Sequence, residues 1–136
     1  MDIRNYSAYC ENEILDLYDS VGWTAYTKEP ERLLRAFQNS LTALGAYEDN
    51  KLIGVIRAVG DGETILFIQD LLVHPEFQRR GVGSSLIREL CSRYRHVRQI
   101  QLTTDNLPET ISFYRSLGFV PHSEMNCCGL MALRNA

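Results

Sequence analysis

The sequence predicts an α/β (α+β) fold: a mixed, mostly antiparallel sheet of six to seven strands with about four helices. Three observations carry that prediction. Between Leu41 and Val73 the apolar residues fall in three strand-sized segments joined by short turns, which implies an antiparallel meander. After His74-Pro75 the spacing becomes helical and then leads into another strand, a strand–helix–strand crossover. Two amphipathic helices precede the meander. The length of 136 residues suits one domain, spanning 1–136, with one real core.

Taken in order, Asp2–Asn5 is a short first strand. Ile14, Leu17, Tyr18 and Val21 then lie at i, i+3, i+4 and i+7, the stripe of a helix that Gly22 ends. A loop with two large aromatics, Trp23 and Tyr26, leads to a second helix starting near Pro30 and burying Leu33, Leu34 and Phe37. Leu41–Tyr47, Leu52–Val59 and Thr64–Val73 are the meander strands. Glu48-Asp49-Asn50-Lys51 and Gly60-Asp61-Gly62 form their turns, and Pro75 stops the third strand. Val82, Leu86, Leu90 and Tyr94 repeat every four residues, a helix running to about Arg95. Gln99–Thr103 alternates as a strand. Asn106 reads as the N-cap of a helix over Pro108–Leu117, with Gly118 as its left-handed C-terminal residue. Phe119–Val120 and Gly129–Arg134 read as the last two strands.

Composition narrows the function classes. An apolar fraction of 45% and a charged fraction of 23% describe a globular chain rather than a disordered one. No apolar run approaches a membrane span, and no basic-then-apolar leader opens the sequence, so the expected location is the cytoplasm with no membrane partner. The net charge of −3 argues against a dedicated nucleic-acid binder. Charge is nonetheless uneven: residues 1–76 hold 6 basic and 13 acidic residues, while residues 77–136 hold 8 and 4. Four cysteines, Cys10, Cys91, Cys127 and Cys128, lack CxxC or zinc-finger spacing, so no metal is expected and they read as reduced thiols packed as small apolar residues.

The segment from Gln69 to Ser84 carries the chemistry. It joins a buried strand, a tight connection and a glycine-containing helix start. The first-turn N–H groups of such a helix lack intrahelical acceptors, and the dipole adds partial positive charge. Gly81 and Gly83 let a ligand approach the main chain, Ser84 and Ser85 add hydroxyls, and Arg79 and Arg80 add full charges. The arrangement suits a phosphate or pyrophosphate. It is not a P-loop, which needs a lysine here, nor a dinucleotide fingerprint, since Leu86 stands where the third glycine belongs.

Gln78-Arg79-Arg80-Gly81-Val82-Gly83 resembles the Gln/Arg-x-x-Gly-x-Gly/Ala signature of the GNAT superfamily of N-acetyltransferases. Leu71–Pro75 is similar to that family's Leu-x-Val-x-Pro strand end, and Phe113-Tyr114-Arg115-Ser116-Leu117-Gly118-Phe119 to its Phe-Tyr-x-x-Leu-Gly-Phe segment. The match runs from about Leu41 to the C-terminus, and the two leading helices also fit. The resemblance implies a sheet whose fourth and fifth strands splay around acetyl-coenzyme A. Main-chain groups of Leu71, Leu72 and Val73 would then pair with the pantetheine, and Gln78, Arg79, Arg80, Gly81, Val82, Gly83 and Ser84 would hold the pyrophosphate. Asn106 becomes a possible coenzyme contact, although it lies eight residues before Tyr114 where many members have seven.

The implied reaction is direct acetyl transfer to a primary amine of a small molecule within a ternary complex. Tyr114 matches the tyrosine that protonates the departing thiolate, with packing as its alternative role. Asp70 is the candidate base, because the usual family position falls on Phe67, which takes no proton. His74, Glu48 and a water chain are the alternatives. Trp23 and Tyr26 lie in the loop that commonly closes over the acceptor. Arg57 reads either as an exposed charge or as an anchor for an acceptor carboxylate. A homodimer is common in the family. The rival reading is a non-catalytic acetyl-coenzyme A sensor or interaction module that keeps the cleft without turnover.

Overall fold

The computed structural model describes residues 1–134. The elements run β1 (Asp2–Asn5), α1 (Glu11–Ser20), α2 (Thr24–Thr27), α3 (Pro30–Gln38), β2 (Thr42–Glu48), β3 (Lys51–Gly60), β4 (Ile65–Val73), α4 (Val82–Arg93), β5 (Gln99–Leu102) and α5 (Pro108–Arg115). Short 3₁₀ turns occupy Pro75–Phe77 and His122–Met125. The chain forms two compact units, Met1–Leu102 and the part from Thr103 onward.

In the first unit one sheet has the order β1-β2-β3-β4-β5. Its first three pairings are antiparallel, and β4–β5 is parallel. That change of sense follows from α4, since only a crossover returns the chain to run parallel. The β2–β3 turn places Asp49 and Asn50 at φ 49° and 64°. Two positive φ values give the hairpin the hand that matches strand twist, and Asp and Asn tolerate them. In the β3–β4 turn the Asp61 carboxylate accepts from the N–H groups of Glu63, Thr64 and Ile65 and from the Thr64 hydroxyl. Gly60 has φ 135°, and a Cβ there would lie 2.4 Å from the Ile65 carbonyl oxygen, so no other residue fits.

The sheet is covered by helices. Ile14, Leu17 and Tyr18 of α1 and Leu33 of α3 are buried with Val55 and Leu72. Val82, Leu86, Ile87 and Leu90 form the buried stripe of α4, and Val82 and Leu86 abut Gly54. Residues Leu52 to Ala58 are accordingly all buried, which is why β3 reads as an almost unbroken apolar run. Burial of each such aliphatic side chain is worth about 1.5–3 kcal/mol.

In the second unit α5 ends as expected, with Gly118 at φ 92° and the Leu117 and Phe119 N–H groups both on the Tyr114 carbonyl. The expected cap differs. Leu107, extended at φ −113°, precedes the helix and Asn106 does not cap it. Pro108 takes the first helical position and forces the residue before it out of helical geometry.

Other expectations are corrected by the fold. The described residues form five strands rather than six to seven, and neither Phe119–Val120 nor Gly129–Arg134 is one of them. A strand exists through its ladder, and apolar content alone does not create it. Pro121 and the following 3₁₀ turn interrupt the first segment. In the second, Leu130 is 94% exposed and Leu133 102%. The Trp23–Tyr26 segment contains the short helix α2 instead of plain loop. Packing holds only for Cys91, which is half-buried, whereas Cys10, Cys127 and Cys128 are exposed. Among the described residues no helix is long and apolar enough to cross a membrane.

Candidate active site

The β4–β5 ladder ends at Ile68 and Leu102, yet β4 continues to Val73. Leu71, Leu72 and Val73 therefore keep β3 on one side while the parallel partner has already stopped. That leaves Leu71–Val73 beyond the end of the parallel ladder, an edge that would admit an extended ligand as a surrogate strand. The Val73 carbonyl accepts from the Gln78 side chain at 2.9 Å, so Gln78 braces the connection between strand and helix. The His74 N–H donates to the Ile53 carbonyl at 2.8 Å, and His74 Nδ1 accepts from the Glu76 N–H at 3.2 Å.

Beyond that brace the backbone turns sharply. Gln78 is extended, Arg79 has φ 63°, and Gly81, at φ 80°, is the residue before α4. Left-handed residues this close together turn successive N–H groups toward one side. Among the described residues no side chain caps α4, and a Cβ on Gly81 would meet nothing within 4 Å. The first-turn amides of Val82, Gly83 and Ser84 thus start a twelve-residue helix beside open space, with exposed Arg79 and Arg80 flanking them. These features fit a pyrophosphate: main-chain donors, a dipole, two cations and no obstructing side chain.

At the other sequence-predicted position, β4 carries a bulge. Arg57 opposes Asp70 and Ala58 opposes Ile68, which leaves Gln69 as the extra residue. Asp70 is 2% exposed and its two oxygens receive three donors. Arg57 Nε lies 2.7 Å and Tyr18 Oη 2.9 Å from Oδ2, while Tyr26 Oη lies 2.6 Å from Oδ1. Arg57 also donates to Ser40 Oγ at 3.2 Å. The expectation for Arg57 is corrected on both counts, since it is 4% exposed and paired internally. Burial pulls its guanidinium pKa down, and the Asp70 charge and hydrogen bond outweigh that, so the net direction is up. Burial, reinforced by Asp70, raises both the Tyr18 and Tyr26 hydroxyls, so both stay protonated.

An open cavity of about 480 Å³ lies over this cluster, lined by residues 22–26 together with Gln69 and Asp70. Trp23 and Tyr26 stand 6.1 Å apart, and Tyr18 meets both edge-on at 5.9 and 5.2 Å. Aromatic faces of this kind attract cations and planar groups.

Tyr114 and Asn106 belong to the second unit. Tyr114 is packed edge-on by Phe113 and Phe119 at 5.0 and 5.9 Å. Burial raises its phenol pKa, with Asp105 adding to the rise and Thr104 opposing it, so the hydroxyl holds its proton at neutral pH. Asn106 is exposed.

The first unit thus unites Asp70, Leu71–Val73 and Gln78–Ser84. Sequence reading missed Tyr18, Ser40 and Gln69. Tyr18 sits on the apolar stripe of α1 and reads as core. One available signal was a paired Arg57 and Asp70 on neighbouring strands of the same hairpin, two charges that burial would force together.

Comparison with known proteins agrees with this geometry. The acetyltransferase (GNAT) family model matches residues 10–119. An uncharacterized N-acetyltransferase ycf52 of Gracilaria tenuistipitata var. liui is 36% identical over 115 residues, covering 80% of this chain and 61% of that protein. The chain therefore spans about three fifths of the length of such curated relatives. A GNAT-family acetyltransferase structure from Streptococcus pneumoniae TIGR4 is 36% identical, with a TM-score of 0.88 over 99% of this chain and 98% of that one. An aminoglycoside 6'-N-acetyltransferase solved with coenzyme A shares the fold at 18% identity, with a TM-score of 0.70 over 87% and 84% of the two chains.

Proposed function

This chain belongs to the acetyltransferase (GNAT) family, and on that premise we propose that it transfers an acetyl group from acetyl-coenzyme A to a primary amine of a small molecule. The observation that carries the proposal is the start of α4: uncapped first-turn amides behind left-handed Arg79 and Gly81, directly after a strand that outruns its parallel neighbour. The family's cosubstrate has a pyrophosphate and an extended amide-bearing arm, and these two features fit those two groups.

When bound, acetyl-coenzyme A supplies the acetyl group as a thioester. Leu71, Leu72 and Val73 would hold the pantetheine arm through their main chain, and the amides of Arg79–Ser84 would hold the pyrophosphate. An N–H near Leu72 or Val73 would polarise the thioester carbonyl. The cavity beneath Trp23 receives the amine. An ammonium has a pKa of about 10 and must lose a proton before it attacks; that proton leaves to water in the cavity. As the carbon–nitrogen bond forms, the carbon–sulfur bond would break; the resemblance gives Tyr114 the protonation of the departing sulfur, and Tyr114 would recover its proton, through water, from the nitrogen of the new amide. The reading takes residues 1–136 as one functional domain and the chain as a homodimer. The exposed apolar side chains of Leu130, Met131 and Leu133 support the second point.

One observation favours a coenzyme sensor instead: Phe67 occupies the usual base position. Calorimetry with acetyl-coenzyme A and a thiol-release assay over a panel of primary amines separate the readings. Binding with turnover supports the enzyme. Binding without turnover supports the sensor, and absence of binding overturns both.

A further inference from the structure

We propose that Tyr26 Oη is a fixed hydrogen-bond acceptor for an N–H of the incoming amine, and that Asp70 is the positioning residue that fixes it. The proposal rests on reading the cavity as the acceptor site. A phenol has one proton, and that of Tyr26 is directed at Asp70 Oδ1 at 2.6 Å. Asp70 cannot reverse this bond. Its other oxygen accepts from Arg57 Nε at 2.7 Å and Tyr18 Oη at 2.9 Å, and the carboxylate of an ion pair has no proton to donate. A free tyrosine hydroxyl can donate or accept. With its proton committed to Asp70 and the Gln69 side chain also hydrogen-bonded to it, this one offers the cavity a single remaining acceptor position.

Such a group selects for a donor, and the nucleophile of acetyl transfer carries N–H bonds. The Trp23 ring, 6.1 Å from that of Tyr26, adds a face attractive to a cation. The groups around Asp70 are Tyr18 from α1, Tyr26 from α2 and Arg57 from β3. All three donate to it, so the scaffold takes three of the roughly four lone-pair positions of the carboxylate. Asp70 then acts through Tyr26 and does not itself take the amine's proton.

The test uses the full chain, acetyl-coenzyme A, and a panel of primary amines with 2-phenylethylamine and n-hexylamine as aromatic and aliphatic probes. Tyr26→Phe is expected to raise the amine KM about tenfold, with kcat and acetyl-coenzyme A affinity within about twofold of wild type. Asp70→Asn should raise the amine KM, keep the pH dependence of kcat, and add nothing further in the Tyr26→Phe background. Tyr18→Phe also removes one donor from Asp70, but from a buried position, and should lower stability while moving KM by no more than about twofold. If Asp70→Asn fails to fold, the contrast between Tyr26→Phe and Tyr18→Phe carries the test. An unchanged amine KM in Tyr26→Phe overturns the proposal, as does loss of the acidic limb of kcat in Asp70→Asn. In either case the enzyme reading survives. Failure of every amine to react with the wild type, with acetyl-coenzyme A still bound, overturns that reading and this inference with it.

Discussion

Arg57 Nε lies 2.7 Å from Asp70 Oδ2, with the two side chains 5% and 2% exposed. The residues oppose each other across β3 and β4, next to the bulge at Gln69. Removing one member strands the other as a buried charge. Arg57→Met is therefore expected to cost about 3–5 kcal/mol of stability, and the Arg57→Met/Asp70→Leu pair markedly less. Urea unfolding of both variants measures this, and equal losses would show that the pairing is not the source.

Tyr114→Phe removes the proposed acid and keeps the ring contacts with Phe113 and Phe119. The expected result is a fall in kcat of about a hundredfold with acetyl-coenzyme A affinity unchanged. Because burial raises the phenol pKa, the alkaline loss of activity should begin only above the ordinary tyrosine range of about 10. Parallel losses of binding and turnover would identify Tyr114 as packing.

Gly83→Glu places bulk and negative charge among the first-turn amides of α4. A variant with a wild-type circular dichroism spectrum should give no heat of binding with acetyl-coenzyme A in calorimetry. Normal binding by that folded variant would refute the pyrophosphate cradle.

Asp61 stabilises the β3–β4 turn in its ionised form. Three backbone N–H groups and the Thr64 hydroxyl hold its pKa far below the ordinary 3.8. For a group depressed on folding, the contribution is complete above the unfolded pKa and is lost as pH falls toward the folded one. Wild type should therefore melt above Asp61→Ala at neutral pH, with the gap narrowing only as pH drops below about 4. A gap that stays constant down to pH 2 would count against this account.

The homodimer is tested by sedimentation. Leu130→Glu and Leu133→Glu place charge on side chains that are 94% and 102% exposed in the single chain. They should convert a dimer to monomer with no loss of melting temperature in the monomer. A wild type that sediments as a monomer at every concentration tried would dispose of the dimer.

Much of the fold and of the glycine-bearing turn proposed to hold the pyrophosphate was legible because both are local. Gly81 and the alternation along Thr64–Val73 each act through neighbouring backbone, where composition and spacing are sufficient signals. The final two strands were not legible. Gly129–Arg134 has the composition of a strand, but a ladder depends on which backbone lies alongside, and that is a property of the assembled chain.

The same distinction divides the site. By itself the sequence determined the meander, the crossover helix and the glycine-bearing turn after Pro75, all set by short-range steric and hydrogen-bonding preferences, and its motifs carried the resemblance to the family. Only the tertiary structure decided that Tyr18, Tyr26 and Arg57 would meet on Asp70 from three different elements. Residues up to 52 positions apart share that carboxylate, and no local preference encodes which buried donors will find a charge once water has been excluded.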